Sequence, residues 1–300
     1  MNTSTASAPP GAQPALQRRN FRFMHRLRVR WAEVDMQNIV FNGHYLMYFD
    51  TAVADYWRAL ALPYAESMQY FGGDLFVRKA TVEYEAPAAY DDVLDVGIRC
   101  SRIGNSSFVF TAGVFKQDTL LVSGELVYVF ADPATRRSKP VPQEFRAVLE
   151  AFEANKPMIE VRVGDWATLG RDAQAVRTEV FVQEQRIPAE MEWDEADASC
   201  VHAVAYNRIG APLATGRLLE HVPGVAKIGR MAVRQPLRGG GAGRAVLDAL
   251  MRTARERGDR EAVLHAQCSA AGFYSRAGFV TRGPEFEEAG IPHVEMVRGL

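Results

Sequence analysis

Hydrophobic and polar positions follow two different patterns in the first half of the chain. Residues 21–31 alternate between apolar and polar side chains, which predicts a strand. Residues 43–60 place aromatic and aliphatic side chains at helical spacing, which predicts a helix with one apolar face. Four β-rich runs then follow between residues 75 and 132, with no helical pattern between them. This order predicts an α+β fold in which one strand and a four-strand meander form an antiparallel sheet wrapped around a central helix.

Helical and strand patterns alternate in the second half of the chain. The change follows a Pro-containing loop and a short amphipathic helix, so we expect the domain boundary near residues 155–157. A strand, a helix, three strands, a Gly-rich loop and two helix–strand pairs come next, which predicts a mixed α/β domain. We therefore expect domains of residues 21–155 and 156–300. They follow a disordered arm of residues 1–20, which is rich in Ser, Thr, Ala and Pro.

The composition is that of an ordinary globular chain and excludes several functional classes. Hydrophobic residues make up 48% and charged residues 24%, which is enough apolar material for two cores. The net charge is −1, so we expect no nucleic acid partner. No apolar run reaches the length of a membrane-spanning helix, so we expect no membrane partner. Three widely spaced cysteines favour a reducing, cytoplasmic location, and no His or Cys pair has the spacing of metal ligands.

A lone acid, Asp35, lies in a polar bend shortly before the predicted helix of the first half. The N-terminus of a helix presents backbone N–H groups without intrahelical partners, which can hold an acyl carbonyl as it becomes an oxyanion. A nearby carboxylate can attack the carbonyl carbon or deprotonate a water molecule that does so. The spacing therefore favours a site that cleaves an acyl bond.

The segment around Asp35, with Ile-Val-Phe at residues 39–41 and Tyr45 at the start of the helix, resembles the hotdog-fold acyl-CoA thioesterases of the 4-hydroxybenzoyl-CoA thioesterase family. The resemblance covers residues 21–150. It implies that Asp35 is the catalytic carboxylate and that the backbone of Asn42 is the oxyanion donor. It also implies acyl-CoA as substrate and assembly into a homodimer or homotetramer through this domain.

Two positions depart from the pattern of that family. Asn38 stands in place of a loop glycine, and Asn tolerates the positive φ that a glycine would adopt there. His44 stands in place of an asparagine, which leaves the positioning of water open. Asp35 as nucleophile and Asp35 as general base both stay open. The arginines that alternate along the first strand either meet CoA phosphates or form a solvated sheet edge; they are Arg18, Arg19, Arg22, Arg26, Arg28 and Arg30.

A Gly-rich loop at residues 238–243 separates a predicted strand from an amphipathic helix. Without side chains, successive N–H groups and the helix dipole can cradle a pyrophosphate. A P-loop is excluded because no Gly-Lys-Ser/Thr follows. Taken alone, such a loop is equally well a structural turn.

The R-x-x-G-x-G spacing of this loop and the later helix segment of residues 270–279 resemble the GNAT acetyltransferase superfamily, in an order that spans residues 158–300. The resemblance implies that acyl-CoA binds at this loop and that Tyr274 lies near the departing sulfur. The backbone of Met231, Ala232 and Val233 would line the pantetheine and thioester. The pyrophosphate would be held by Arg238, Gly239, Gly240, Gly241, Ala242, Gly243 and Arg244.

The acceptor side of this second reaction is less defined. An ordinary tyrosine has a pKa of about 10, and a thiol has a pKa of about 8.5. Proton transfer from Tyr274 to the thiolate is therefore uphill by roughly 2 kcal/mol, so we expect Tyr274 to donate a hydrogen bond instead. The acid-rich residues 190–197 either attract a cationic acceptor or form a solvated loop. The general base for an unidentified amine acceptor is not assigned; the candidates are Glu184, Glu220, His221, His265 and His293.

Together these features predict a bifunctional, CoA-dependent enzyme without a catalytic metal. The N-terminal domain is expected to hydrolyse an acyl-CoA thioester, and the C-terminal domain is expected to transfer an acyl group from acyl-CoA to an amine. The alternative is that one domain is a CoA or acyl-CoA sensor that regulates the other. An enoyl-CoA hydratase is disfavoured because no acid and histidine occur together near the predicted buried helix.

Overall fold

The computed structural model describes residues 16–300, which divide into two compact units. The first unit comprises Met68–Leu149 and the described residues of Met1–Tyr56. The second comprises Trp57–Ser67 and Glu150–Leu300. Across residues 16–300, no helix is both long enough and apolar enough to cross a membrane.

The predicted disordered arm is ordered at its end. Residues 1–15 of that arm lie outside the described residues, but Arg18–Asn20 form a 3-10 turn, contrary to the prediction. Arg18 Nη1 donates to Asp95 Oδ2 at 2.5 Å, and Arg26 Nε donates to Asp95 Oδ1 at 2.8 Å. The hydrogen bonds from Arg26 and Arg18 outweigh burial and hold the pKa of Asp95 below its usual value. This shared carboxylate fixes the turn against the first unit.

Residues 16–153 form one sheet, three α-helices and two short 3-10 turns. The sheet is antiparallel throughout, with the strand order β1-β3-β4-β5-β2. The elements are β1 (Phe23–Arg28), α1 (His44–Ala59), α2 (Tyr64–Phe71), β2 (Asp74–Tyr84), β3 (Val93–Ile103), β4 (Ser107–Lys116), β5 (Thr119–Ala131) and α3 (Gln143–Glu153).

The predicted four-strand meander is wrong for its first strand. β2 pairs with β5 at one edge of the sheet, whereas β3 pairs with β1 and β4. The connection from β2 to β3 is held by the loop that precedes α1, because Val40 N donates to Ala88 O at 2.8 Å and Ile39 bridges Ala89. Because β4 and β5 lie between β3 and β2 in the sheet, this connection is not a tight hairpin.

Helix α1 packs its apolar face on the sheet, as its spacing predicts. Phe49 is fully buried, and its ring lies against Gly124 of β5, where a Cβ would come within 2.5 Å of the ring. The ring of Tyr56 meets the edge of Phe110 on β4 at 5.5 Å between centroids. Other buried side chains of this face are Tyr45, Tyr48, Ala52 and Val53.

The second unit contains a seven-stranded sheet with the order β11-β12-β10-β9-β8-β7-β6. All neighbouring strands are antiparallel except β9 and β10, which the helix α6 connects. The elements are β6 (Ile159–Gly164), α4 (Trp166–Arg177), α5 (Ala189–Glu192), β7 (Val201–Asn207), β8 (Pro212–Val222), β9 (Val225–Val233), α6 (Ala242–Arg257), β10 (Glu261–Gln267), α7 (Ala271–Arg276), β11 (Val280–Glu288) and β12 (Ile291–Gly299).

Two features of this unit differ from the sequence pattern. The predicted helix of residues 165–185 begins as α4, capped by Asp165, and continues as a π-helical turn over Thr178–Glu184. Strand β11 was not predicted from the pattern, because its side chains are mostly exposed and do not alternate.

Candidate active sites

The first candidate site is a cavity of about 480 Å³ between the loop before α1 and the end of β2. Asp35 and Asn42 both line it, together with Tyr45, Tyr84 and Glu85. The structure therefore brings the predicted carboxylate and the predicted oxyanion donor to one cavity. Glu85 supplies a second, exposed carboxylate that the sequence did not single out.

A tight turn holds Asp35 in place. Asp35 N donates to Ile39 O at 2.9 Å, and Asn38 N donates to Asp35 O at 3.0 Å. Asn38 adopts a φ of 61°, which confirms that asparagine takes the left-handed geometry at this position. Oδ1 of Asp35 accepts a hydrogen bond from Gln37 N at 2.8 Å. Oδ2 has no donor among the described residues, so it is available for chemistry.

The backbone N–H groups of the loop are mostly committed. Val40 N donates to Ala88 O, Phe41 N donates to Glu33 O, and His44 N donates to Phe41 O. The N–H of Asn42 has no acceptor among residues 16–300. Because it lies at the N-terminus of α1, where the helix dipole favours negative charge, it is suited to an oxyanion.

Glu33 is a residue of this loop that the sequence reasoning missed. Its side chain is almost fully buried and accepts hydrogen bonds from Tyr48 Oη at 2.8 Å and from Arg30 N and Nε at 2.7 Å each. Burial raises the pKa of Glu33, but these donors outweigh burial and lower it below its usual value. Burial and the bond to Glu33 raise the pKa of Tyr48. The i,i+3 spacing of Arg30 and Glu33 is the one available sequence signal.

His44 and the strand arginines do not contribute to the cavity wall. The Nδ1 atom of His44 lies 3.4 Å from Met47 Sδ, and its ring meets Phe41. Several of these arginines pair with carboxylates within the first unit. These are Arg18 and Arg26 with Asp95, Arg28 with Asp91, and Arg30 with Glu33.

The second candidate site is a cavity of about 450 Å³ where β9 and β10 diverge. Their parallel pairing ends at Ile228 and Leu264, although both strands continue. A register shift between β8 and β9 leaves Arg230 and Met231 outside the ladder, and Arg230 has a φ of 52°. Such bulges expose backbone groups to a ligand. Of the three residues predicted to line the thioester, Met231 lines the cavity, whereas Ala232 is buried against Val176.

The Gly-rich loop leads directly into α6, as its position in the sequence predicts. Gly239 has a φ of 83° and Gly241 a φ of 91°, and a Cβ at either position would meet no atom within 4 Å. A Cβ at Gly243 would lie 2.8 Å from Val233 Cγ2, so this position needs glycine for close packing. Gly240 belongs to this turn, and Ala242 is the first residue of α6.

Both arginines predicted to hold the pyrophosphate have carboxylate partners. Arg238 Nη1 and Nη2 donate to Glu184 at 2.7 and 2.6 Å. Arg244 Nε donates to both oxygens of Asp248 at 2.9 Å. A diphosphate at this loop would compete with these carboxylates. Glu184, a candidate base, is thus bound in a bidentate pair.

Tyr274 lines the second cavity and is 8% exposed. Burial raises the pKa of its hydroxyl to about 12. Proton transfer to a thiolate with a pKa near 8.5 is then uphill by about 5 kcal/mol, more than for an ordinary tyrosine. The side chain is therefore suited to donate a hydrogen bond to the sulfur rather than a proton.

The candidate bases differ in whether they line this cavity. His265 and His293 line it, whereas Glu220 and His221 on β8 are exposed and lie outside its wall. His293 Nδ1 lies 2.8 Å from Ile291 O, and His265 Nδ1 lies 3.3 Å from Glu288 Oε2. Within residues 16–300, no group of three or more His, Cys, Asp and Glu is arranged to hold a metal ion.

The acid-rich segment of residues 190–197 is not a solvated loop. Glu192 and Asp197 are buried and pair with Arg177 at 2.5 and 2.7 Å. Asp194 and Asp197 both pair with Arg217. Three carboxylates thus meet buried guanidinium groups, because unpaired charges of either sign are costly in this interior. The other two acids of the segment, Glu190 and Glu195, are exposed.

Comparisons with known proteins divide the chain in the same way. The family model described as "Thioesterase superfamily" matches residues 37–123, and the model described as "Acetyltransferase (GNAT) domain" matches residues 169–300. Both families use CoA thioesters as substrates.

Individual relatives match each part over most of their own length. The "Uncharacterized N-acetyltransferase YjcF" of Bacillus subtilis is 38% identical over 129 residues, which cover 43% of this chain and 91% of that protein. The "Putative esterase" of Aquifex aeolicus is 34% identical over 96 residues, which cover 32% of this chain and 74% of that protein. The "Acyl-CoA thioester hydrolase YbgC" of Escherichia coli is 28% identical over 130 residues, which cover 42% of this chain and 93% of that protein. The chain therefore belongs to the thioesterase superfamily through its N-terminal part and to the GNAT acetyltransferase family through its C-terminal part.

Proposed function

We propose that the chain is a bifunctional enzyme that hydrolyses an acyl-CoA thioester in its N-terminal domain and transfers an acyl group from acyl-CoA to an amine in its C-terminal domain. One observation carries the first activity: the uncommitted Oδ2 of Asp35 and the uncommitted N–H of Asn42 belong to residues that line one cavity. Nucleophile or base and oxyanion donor are the two parts that thioester hydrolysis needs.

In the first site, the thioester carbonyl oxygen accepts a hydrogen bond from Asn42 N. Asp35 either attacks the carbonyl carbon, forming an anhydride that water hydrolyses, or takes a proton from a water molecule that attacks it. In both routes the C–S bond breaks and the CoA thiolate leaves. The products are a carboxylic acid and CoA.

In the second site, the diphosphate of acyl-CoA lies at residues 238–244 and the thioester lies beside Met231. The Gly-rich loop supports this because its open glycines and the N-terminus of α6 favour a phosphate group. The acceptor amine attacks the carbonyl carbon, and Tyr274 donates a hydrogen bond to the departing sulfur. No catalytic metal takes part in this proposal.

We further propose how the protein is organised and where it is located. The domains are residues 21–155 and 156–300, and the protein is cytoplasmic. Its N-terminal domain assembles as a homodimer or homotetramer. The edge strand β2 supports self-assembly, because it presents Phe76, Val77 and Tyr84 to solvent and pairs on one side only among the described residues.

A second candidate function has one specific observation in its favour. Of the five candidate bases, Glu184 is bound by Arg238, and Glu220 and His221 lie outside the cavity wall. The small number of groups placed to take a proton from an acceptor favours a C-terminal domain that senses CoA or acyl-CoA and regulates the first domain without transfer. Calorimetry that detects acetyl-CoA binding, with no product across a panel of amines, would favour the sensor.

The test of hydrolysis is thiol release from acyl-CoAs of graded chain length and aromaticity by the full chain. We expect Asp35→Asn to lower thiol release at least 100-fold, because it removes the nucleophile or base. Tyr274→Phe leaves this release unchanged, since it lies in the other domain. Asp118→Asn, at an exposed turn of the first unit, is the matched control. Hydrolysis by Asp35→Asn at the parental rate would refute the assignment.

A further inference from the structure

His265 on β10 lies between two carboxylates at the wall of the second cavity. Its Nδ1 atom is 3.3 Å from Glu288 Oε2 on β11, and its Nε2 atom is 3.8 Å from Glu295 Oε2 on β12. The edge of the Phe286 ring meets the imidazole at 4.9 Å between centroids. His265, Glu288 and Tyr274 all line the same cavity. Contacts on three sides therefore hold the ring at this wall.

The strand register leaves space beside this histidine. Ile228 of β9 pairs with Leu264 of β10, so Gly229 and His265 come next along the two diverging strands. A Cβ at Gly229 would meet no atom within 4 Å. Gly229 also lines the cavity, so a small acceptor has room to approach the imidazole at this point.

The other candidate bases are less well suited. Glu184 is bound by Arg238, and Glu220 and His221 lie outside the cavity wall. His293 lines the cavity, but its Nδ1 atom contacts the carbonyl oxygen of Ile291 rather than a carboxylate. An imidazole that takes a proton becomes a cation, and a carboxylate on its other nitrogen stabilises that cation and sets the tautomer. Glu288 supplies this carboxylate to His265.

We propose that His265, oriented by Glu288, is the general base of the transfer site and takes the proton from the acceptor amine. This inference rests on the proposed transfer function. With Nδ1–H donated to Glu288, the lone pair of Nε2 is the proton acceptor. The amine nitrogen forms a bond to the thioester carbon, the C–S bond breaks, and the amine proton moves to Nε2. The CoA thiolate leaves hydrogen-bonded to Tyr274 and is protonated by solvent, and the imidazolium returns its proton to solvent.

The ionisation of His265 should appear in the pH dependence of transfer. The charged groups around it are Glu288 on β11, Glu295 on β12 and Lys227 on β9, and Arg282 pairs with Glu295 at 2.6 Å. His221 also acts electrostatically on Glu295. Transfer requires neutral His265, so kcat falls as the pH drops and the imidazole is protonated.

The test uses the full chain with Asp35→Asn, which removes background hydrolysis. Acetyl-CoA is supplied with ethanolamine, cadaverine or 2-phenylethylamine, and the acetylated amine is measured by mass spectrometry. His265→Ala should lower kcat by about 100-fold or more and abolish the acidic limb of the pH profile, and added imidazole should restore part of the rate. KM for acetyl-CoA should change less than twofold, which shows that the fold and the CoA site are intact.

Two further variants separate the roles. Glu288→Gln, a positioning variant, should lower kcat about tenfold and shift the acidic limb to lower pH without removing it, because the carboxylate that stabilises the imidazolium is gone. His221→Gln is the matched control and should leave kcat unchanged. The proposal is overturned if His265→Ala keeps kcat within threefold of the parent, or if His293→Gln alone removes the acidic limb. If the parent acetylates none of the three amines, the transfer function itself fails, and the base assignment fails with it.

Discussion

Two acids of the same loop, Glu33 and Asp35, have opposite environments. Arg30 and Tyr48 donate hydrogen bonds to both carboxylate oxygens of Glu33, and this residue is 3% exposed. Asp35 is half-buried and keeps one oxygen without a donor among the described residues. A fully bonded buried carboxylate stabilises structure, whereas a partly bonded one at a cavity is free for chemistry. The two residues therefore have separable effects on stability and on catalysis.

Glu33→Gln should lower the free energy of unfolding by about 2–3 kcal/mol at pH 7, because it removes charge-assisted hydrogen bonds from a buried site. The pKa of Glu33 is lowered in the folded state, so the unfolded state binds its proton more readily. The difference in the free energy of unfolding between parent and variant should therefore become smaller as the pH falls below about 4. Urea unfolding at several pH values measures it, with the exposed Glu83→Gln as control. A difference that is constant with pH would contradict this.

Tyr274→Phe should lower kcat for amine acetylation about 10- to 100-fold, because the thiolate loses one hydrogen bond in a buried site. The pKa of about 12 also predicts that no ionisation of Tyr274 appears in the pH–rate profile below about pH 10. Steady-state assays of both variant and parent check this. A basic limb that disappears in Tyr274→Phe would indicate acid catalysis instead.

At the scale of elements, α1 and β5 are matched by shape. Gly124 permits the buried ring of Phe49 to contact the strand. A Cβ at Gly124 would also lie 2.8 Å from the backbone oxygen of Thr81. Neither contact is visible in the hydrophobic pattern, which identifies only the apolar face of the helix. The pairing of β2 with β5 is also not visible in the hydrophobic pattern, because it joins segments that are distant in the chain.

Gly124→Ala should lower the free energy of unfolding of the first unit by about 1–3 kcal/mol, because the added methyl group overpacks the helix–sheet contact. The control is Gly299→Ala on β12, where a Cβ meets no atom within 4 Å. Urea unfolding of both variants checks the expectation. Equal stability of Gly124→Ala and the parent would mean that α1 shifts without cost.

For the whole molecule, the proposed self-association depends on an exposed surface, the edge of β2, and not on either cavity. Val77→Lys on the exposed edge of β2 should shift the proposed homodimer or homotetramer toward monomer, because a charged edge resists strand pairing. Analytical ultracentrifugation over a range of concentrations measures this shift. Val222→Lys, an exposed valine of the second unit, is the control. A parent that is monomeric at all concentrations would refute the assembly.

Local sequence patterns were sufficient to identify the family of each part, the positions of Asp35 and Asn42 before a helix, and the Gly-rich loop before α6. These are local features, in which neighbouring residues determine turn geometry, helix starts and positive φ, as at Asn38 and Gly241. Three features became visible only in the folded protein. They are the buried cluster of Arg177, Glu192 and Asp197, the place of β2 in the sheet, and the position of His265 at the cavity. They depend on residues that are distant in the chain and meet only when the strands pair. The cost of a buried charge depends on its burial and its partners, and the place of a strand depends on which strands it pairs with, so local spacing predicts neither.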